Sequence, residues 1–270
     1  SQLPTNQSAI LGIGGGKDSI VGFETLKNLQ IPVSGFILGT GTHAGQAQEV
    51  ADIMGVGVDH VERKLDPQLL ALNNSPNTYN GHVPISMVFA FCGVLLAYLR
   101  NTAYVVVANE ASASIPQAQW DGNAVNHQWS KSLEFEKLFQ TYTEQEICTG
   151  ITYFSIVRPL SSVAIAKLFA RYPQYFETFT SDNGVFRVDP TLRPNGRWST
   201  TSPKSLSSFI LLAPWIQDHD MQRIFGANLL DEQALSSLFL QLTGLEGHPP
   251  LDCVGTIDEM ILSLNLLTQA

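Results

Sequence analysis

The sequence predicts an α/β fold, a doubly wound parallel sheet followed by a mostly helical C-terminal region. Three observations carry that expectation. Short apolar runs alternate with amphipathic stretches through the first 160 residues. Those runs are apolar throughout rather than alternating, as strands buried on both faces must be. Beyond residue 160 strand signals stop and helical periodicity takes over.

In chain order, 9–13, 33–38, 58–61, 104–108 and 153–157 read as buried strands. Amphipathic segments near 20–29, 46–54 and 83–99 supply crossover helices, and right-handed crossovers then wind the sheet in both directions. The second part, 161–270, holds helical patterns at 164–172, 206–217, 231–242 and 257–267, the last opened by the capping pair Thr256 and Glu259. Between them, 181–205 is rich in Gly, Pro, Asn and Ser and reads as a basic loop. The expected division is therefore 1–160, an α/β domain, and 161–270, a helical appendage.

Composition narrows the function classes. Lys plus Arg number 15 against 24 Asp plus Glu, a net charge of −9, which disfavours a nucleic-acid coat. Hydrophobic residues at 44% and charged residues at 14% provide for a sizeable core. No apolar run reaches the ~18 residues of a membrane span, and SQLPTNQS lacks a signal-peptide pattern. Three distant cysteines, Cys92, Cys148 and Cys253, make no disulfide framework. A cytoplasmic protein is the expectation, with no nucleic-acid or membrane partner; the oligomeric state is left open.

In a doubly wound sheet, ligands sit beyond the carboxyl ends of the strands. There the first strand runs into Gly14-Gly15-Gly16-Lys17-Asp18-Ser19. Glycines let backbone approach an anion closely, and the following helix directs its unpaired N–H groups at it. Lys17 adds a cation and Ser19 a hydroxyl. The spacing is neither GxGxxG nor GxxxxGK[ST].

This segment resembles the PP-loop, SGGxDS, of the N-type ATP pyrophosphatases, with Gly14 in place of the first serine. Further blocks sharpen the resemblance: Tyr79-Asn80-Gly81-His82-Val83-Pro84, Ala108-Asn109-Glu110-Ala111-Ser112-Ala113-Ser114, Val125 to Ser132 (VNHQWSKS) with Glu134 and Glu136, and Arg158-Pro159-Leu160-Ser161. Together, from about Ile10 to the CVGT segment at 253–256, they resemble the UDP-N-acetylmuramoyl-L-alanyl-L-glutamate epimerase family. The resemblance implies an isomerase of peptidoglycan precursors. It would use ATP and Mg²⁺, invert a terminal glutamate through an acyl-adenylate, and release AMP and pyrophosphate. The substrate class is a small anionic peptide or nucleotide-sugar peptide. Two alternatives stay open: another PP-loop adenylating enzyme of ligase or amidation type, and a nucleotide-binding module without turnover.

Under that resemblance Gly14, Gly15, Gly16, Lys17, Asp18, Ser19 and Asn109 bind the nucleotide, while Asp18 and Glu110 are candidates for Mg²⁺. Glu110 could equally cap the turn that follows it. For acid/base work residue type and spacing point to His127 and Lys131, i and i+4 on one face if the segment is helical, with Lys131 alternatively an anion anchor. His82 is a further candidate or a turn residue. Arg158, after the fifth strand, is a natural clamp for a carboxylate or phosphate. Cys253 is a possible base, though a single cysteine is more often a small buried hydrophobe. Arg187, Arg193, Arg197 and Lys204 make a basic island that either binds a diphosphate or is solvated.

The sequence departs from the resemblance in two places. Where the family carries W-C-x-x-C-P-K-C and S-S-C-N, this chain has Trp198 to Ser205 (WSTTSPKS) and Thr180 to Asn183 (TSDN). Ser199, Ser202, Ser205 and Asp182 thus replace four thiols suited to tetrahedral zinc. No zinc is expected, and 181–205, without its staple, is expected to be mobile. The chain also begins only a few residues before its first strand, shorter at that end than the resemblance implies. If a missing part recognised the UDP-muramoyl carrier, the substrate here would differ.

Overall fold

A computed structural model describes residues 6–39, 42–72, 75–79, 83–187, 191, 193–194 and 196–269. Five parallel strands form the central sheet in the order β3-β2-β1-β4-β7: β1 (Asn6–Gly12), β2 (Val33–Gly39), β3 (Val58–Glu62), β4 (Thr102–Val107) and β7 (Thr152–Ser155). All five expected strands are present. Their side chains alternate between two apolar layers, as the two-residue strand period requires. Leu11, Ile37 and Val106 enter one layer; Ile10, Phe36 and Val105 enter the other.

The first layer is closed by α1 (Lys17–Asn28), α2 (Thr42–Met54) and the C-terminal helices α6 (Ser162–Phe169), α7 (Pro203–Leu212), α8 (Asp218–Phe225) and α10 (Ile257–Leu267). The second is closed by α4 (Ile85–Arg100) and α5 (Leu133–Tyr142). Two shorter helices, α3 (Pro67–Leu72) and α9 (Ser236–Leu242), complete the chain. Residue 160 marks a change in element type, while the hydrophobic packing runs on across it: Val21 and Leu26 share a core with Ile165, Phe169, Phe209 and Met260. Thr256 and Glu259 form the expected capping box on α10. Glu259 Oε1 also accepts from Ser162 N at 2.6 Å, tying α10 to α6.

A small hairpin, β5 (Ala118–Trp120) and β6 (Asn123–Val125), stands out from the sheet. Its turn, Asp121-Gly122, has positive φ at both residues, the geometry that Asp-Gly favours. Residues 127–131 are not the helix that would put His127 and Lys131 on one face. Asn126 Oδ1 accepts from Gln128 N at 2.9 Å, an Asx turn that diverts the backbone. A single 3₁₀ turn follows at Trp129–Lys131.

The segment around 181–205 has a staple of another kind. Buried Asp182 accepts through Oδ1 from Gly184 N at 2.8 Å and through Oδ2 from Ser199 N at 2.7 Å. The hydroxyls of Ser202 and Ser205 each donate to Oδ2 at 2.9 Å. The four residues at the expected thiol positions therefore bond to one another directly and join the turn after Asp182 to the start of α7. Among the described residues no helix is long and apolar enough to cross a membrane.

Candidate active site

In this strand order β1 is the point where the winding reverses, and the crevice opens between the carboxyl ends of β1 and β4. A cavity of about 260 Å³ lies there. Its floor is the glycine loop, one wall is Val107 to Asn109, and the C-terminal region supplies Thr180, Ser181, Asn183, Lys204 and Cys253.

The loop is shaped for an anion. Gly15 has φ +83°, which a side chain would strain. A Cβ on Gly16 would lie 2.7 Å from Ser181 Oγ. Gly16 caps α1 with no side-chain hydrogen bond, so the first N–H groups of the helix keep no side-chain acceptor. Thr180 N donates to Gly15 O at 3.1 Å, bringing the C-terminal segment over the cradle. Ser181 Oγ is buried there without a hydrogen-bond partner. Ser19 lines the cavity with its hydroxyl donated to Gly16 O at 2.9 Å.

Lys17 and Asp18 form a 2.6 Å ion pair. Burial works against the charge on Lys17, yet the carboxylates of Asp18, Glu110 and Glu259 outweigh it and hold its pKa above the usual value. Burial likewise works against Asp18, but Lys17, Lys204 and Lys131 outweigh it and keep the carboxyl below its ordinary range. Asn109 is fixed from β7: its N–H donates to Ser155 Oγ at 2.8 Å, and that hydroxyl donates back to Asn109 O at 2.7 Å.

Two polar blocks that look separate in sequence pack together. Asn126 Nδ2 donates to Ala113 O at 2.9 Å, and Leu133 N donates to Ser114 Oγ at 3.0 Å. Arg158 locks them from behind. It donates to Glu110 O at 2.9 Å, to Lys131 O at 2.7 Å and to Glu136 Oε2 at 2.9 Å. Its donors face protein acceptors, so the expected substrate clamp is here a bracket that places other residues. Glu110 accepts from Ser112 Oγ at 3.2 Å and makes no side-chain cap on the turn it opens. It is not among the residues lining the cavity.

Lys131 and Cys253, 122 residues apart, meet on the cavity wall with Nζ 3.2 Å from Sγ. The Cys253 thiolate, with Glu110, holds Lys131 well above the usual lysine range despite burial. That direction favours the anion-anchor role expected for Lys131 over the base role. Burial pushes the Cys253 thiol up, but Lys131, a hydrogen bond from His127 and the charge of Lys204 outweigh it and bring its pKa down to about 7. His127 Nδ1 is 2.9 Å from Gln117 Oε1, an orienting contact for the ring. Cys253 Sγ is 2.9 Å from Gln128 Oε1; turning that amide over would present its NH₂ to a thiolate.

His82 lies outside the described residues. The basic island is dispersed: Arg197 bonds Glu49 and Thr178 O, Arg193 bonds Arg187 O, and of the four only Lys204 lines the cavity, donating to Cys253 O. Ser181 is a site residue that sequence reasoning missed, and Lys204 was foreseen only as part of the basic island. Their signal was their place in the stretches that depart from the cysteine pattern.

Among the described residues no three His, Cys, Asp or Glu side chains converge as a metal site. Mg²⁺ needs less than that, one or two carboxylates with phosphate oxygens and water completing its shell. Asp18, ionised and facing the cavity, fits that part.

A parallel sheet wound in both directions, with a glycine cradle at its switch point, defines a PP-loop α/β protein. The chain belongs to the MurL family: the MurL N-terminal domain matches residues 1–156 and the MurL C-terminal domain residues 178–270. It is 35% identical over 255 residues to a UDP-N-acetyl-alpha-D-muramoyl-L-alanyl-L-glutamate epimerase of Salinispora tropica, covering 94% of this chain and 54% of that one. An enzyme of the same name from Xanthomonas oryzae is 36% identical over 247 residues, covering 92% and 54%. The chain thus spans about half the length of the curated relatives it matches. Among solved structures, a U34-tRNA thiolase NcsA from Methanococcus maripaludis superposes with a TM-score of 0.43 at 14% identity, covering 66% of this chain and 60% of that one. A likeness that loose carries no functional argument.

Proposed function

We propose that this chain epimerises the terminal L-glutamate of UDP-N-acetylmuramoyl-L-alanyl-L-glutamate, consuming ATP and releasing AMP and pyrophosphate. The observation that carries the reading is the single cavity in which an anion cradle faces a cation–thiol pair. Family membership supports the substrate.

The two halves of the site answer two chemical needs. A free carboxylate makes its own α-proton hard to remove, because the new negative charge develops beside an existing one. Joining the α-carboxylate to AMP removes that charge and acidifies the α-hydrogen. Gly14 to Gly16 and the start of α1 would hold the phosphates. Lys17 would neutralise the departing pyrophosphate, and Asn109 would orient the nucleotide at the end of β4. Asp18 would hold Mg²⁺, which supplies charge neutralisation at the phosphates.

Lys131, on the wall of the same cavity, would then stabilise the charge that develops on the acyl oxygen as the α-proton leaves. His127, oriented by Gln117, would carry protons between the reacting groups and solvent. Water cleaves the acyl-adenylate once the configuration has inverted. This is a cytoplasmic step by its substrates, since ATP and nucleotide-linked precursors are found there.

The reading is tested by incubating the chain with ATP, Mg²⁺ and the L,L-substrate, hydrolysing the product and separating glutamate enantiomers. D-Glutamate formed only when ATP is present is the expected result. ATP consumption that leaves the glutamate entirely L would transfer the assignment to a ligase-type adenylating enzyme.

A further inference from the structure

We propose that Cys253 is the catalytic residue that takes the α-proton from the activated glutamate. The inference rests on the epimerase reading and adds the atom that does the proton transfer.

Cys253 lines the cavity that holds the glycine cradle, on the wall contributed by the C-terminal region. On the far side of the 252–254 segment a second cavity of about 530 Å³ opens, bounded by Gln117, Gln128, Asp252 and Thr256. Gln128 and Asp252, which line that second cavity, are the immediate neighbours of Cys253: one contacts its Sγ at 2.9 Å, the other accepts from its N–H at 2.8 Å. The sulfur therefore sits where an adenylated carboxyl group in the first cavity would meet the body of a peptide in the second. Ser181 Oγ, buried in the first cavity with no partner, is a further polar group there that a ligand would satisfy.

Charge and hydrogen bonding are arranged around the same atom. Lys131 lies 3.2 Å from Sγ, Lys204 holds the backbone carbonyl of Cys253, and His127 hydrogen-bonds the side chain. Against these stands Asp252, whose carboxylate Oδ1 is taken up by the N–H of Cys253 and by Asn183 Nδ2 at 2.6 Å. The balance brings the thiol to about 7, so near neutrality a large share is thiolate. Cys92 and Cys148, by contrast, are pushed up by burial and have no lysine among their influences.

The step balances without an added oxidant or reductant. The thiolate forms an S–H bond as the Cα–H bond breaks. The electron pair of that bond forms the Cα=C bond, and the carbonyl π pair moves onto the acyl oxygen, facing the Lys131 ammonium. A proton from solvent adds to the opposite face and re-forms the carbonyl. The new thiol gives its proton to His127 and from there to solvent, restoring the thiolate.

The test uses the full chain in D₂O with ATP, Mg²⁺ and the L,L-substrate, comparing wild type with Cys253→Ala and Cys253→Ser. The expected result is pyrophosphate release within about threefold of wild type and α-deuterium uptake reduced by 10²-fold or more. A variant that exchanges at the wild-type rate, or one that folds natively yet loses both reactions together, overturns the assignment. Alkylation by iodoacetamide, followed by mass spectrometry at each cysteine, needs no turnover. Cys253 is expected to react with a midpoint near pH 7, well below Cys92 and Cys148; a shared midpoint for all three overturns it too. Absence of pyrophosphate release from wild type would instead remove the epimerase reading while the alkylation result still stood.

Discussion

Lys131 and Cys253 change each other's chemistry, and the consequence is measurable one residue at a time. Lys131 is the largest influence holding the thiol down, with burial working the other way. Replacing Lys131 by Met should move the alkylation midpoint of Cys253 up to or beyond the ordinary thiol range. An unchanged midpoint would show that Lys131 does not set the thiol. The sign for the wild type follows: the reactive form is the thiolate, so α-proton exchange should be flat above about pH 7 and fall roughly tenfold per pH unit below it. Asp18→Asn, by removing the ionised carboxylate beside the cradle, should lower pyrophosphate release by on the order of 10²-fold or more. A rate within a few-fold of wild type would remove Asp18 from the nucleotide site. At this scale the cradle was legible in sequence, because its glycines, lysine and aspartate are contiguous. Cys253 was legible only as a possible base by residue type, since a partner 122 residues away leaves no spacing to recognise.

Elements were legible wherever one period ran long enough. The five sheet strands are apolar because both faces are covered. The hairpin β5–β6 escaped despite its Asp121-Gly122 signal, being three residues a side with a largely exposed surface. Residues 127–131 misled because His and Lys four apart fit a helix, while the Asx turn at Asn126 overrides that spacing. Two brackets between elements carry their own predictions. Arg158 and Glu136 form a buried ion pair with side chains only 12% and 8% exposed. Arg158→Met leaves that carboxylate unpaired and should cost about 3–5 kcal/mol in urea unfolding; a cost below 1 kcal/mol would show that the bracket does not hold. Asp182→Ala strips the acceptor from two N–H groups and two hydroxyls. It should destabilise by about 2–4 kcal/mol and weaken ATP binding, because Ser181, Asn183 and Lys204 border the cavity. Purified protein should hold zinc far below one equivalent, its four candidate positions being an aspartate and three serines; stoichiometric zinc by metal analysis would contradict this.

The whole molecule explains why the two parts of the chain share one site. The first 160 residues bring the cradle, Asn109 and Lys131, whereas Ser181, Lys204 and Cys253 arrive from the C-terminal region. The hydrophobic layer that runs from α1 through α6 to α7 and α10 fixes one set against the other. Sequence patterning foresaw the change of element type near residue 160 but not that the packing continues across it, because a helix's own period says which face is apolar and not what covers it. The proposed function puts activation and proton exchange in this one cavity. Its most direct test is incubation with ATP, Mg²⁺ and UDP-N-acetylmuramoyl-L-alanyl-L-glutamate in D₂O, reading pyrophosphate and glutamate α-deuterium from the same sample. Both signals are expected, both dependent on ATP, and both lost in Asp18→Asn. Pyrophosphate without deuterium, or deuterium without ATP, would contradict it.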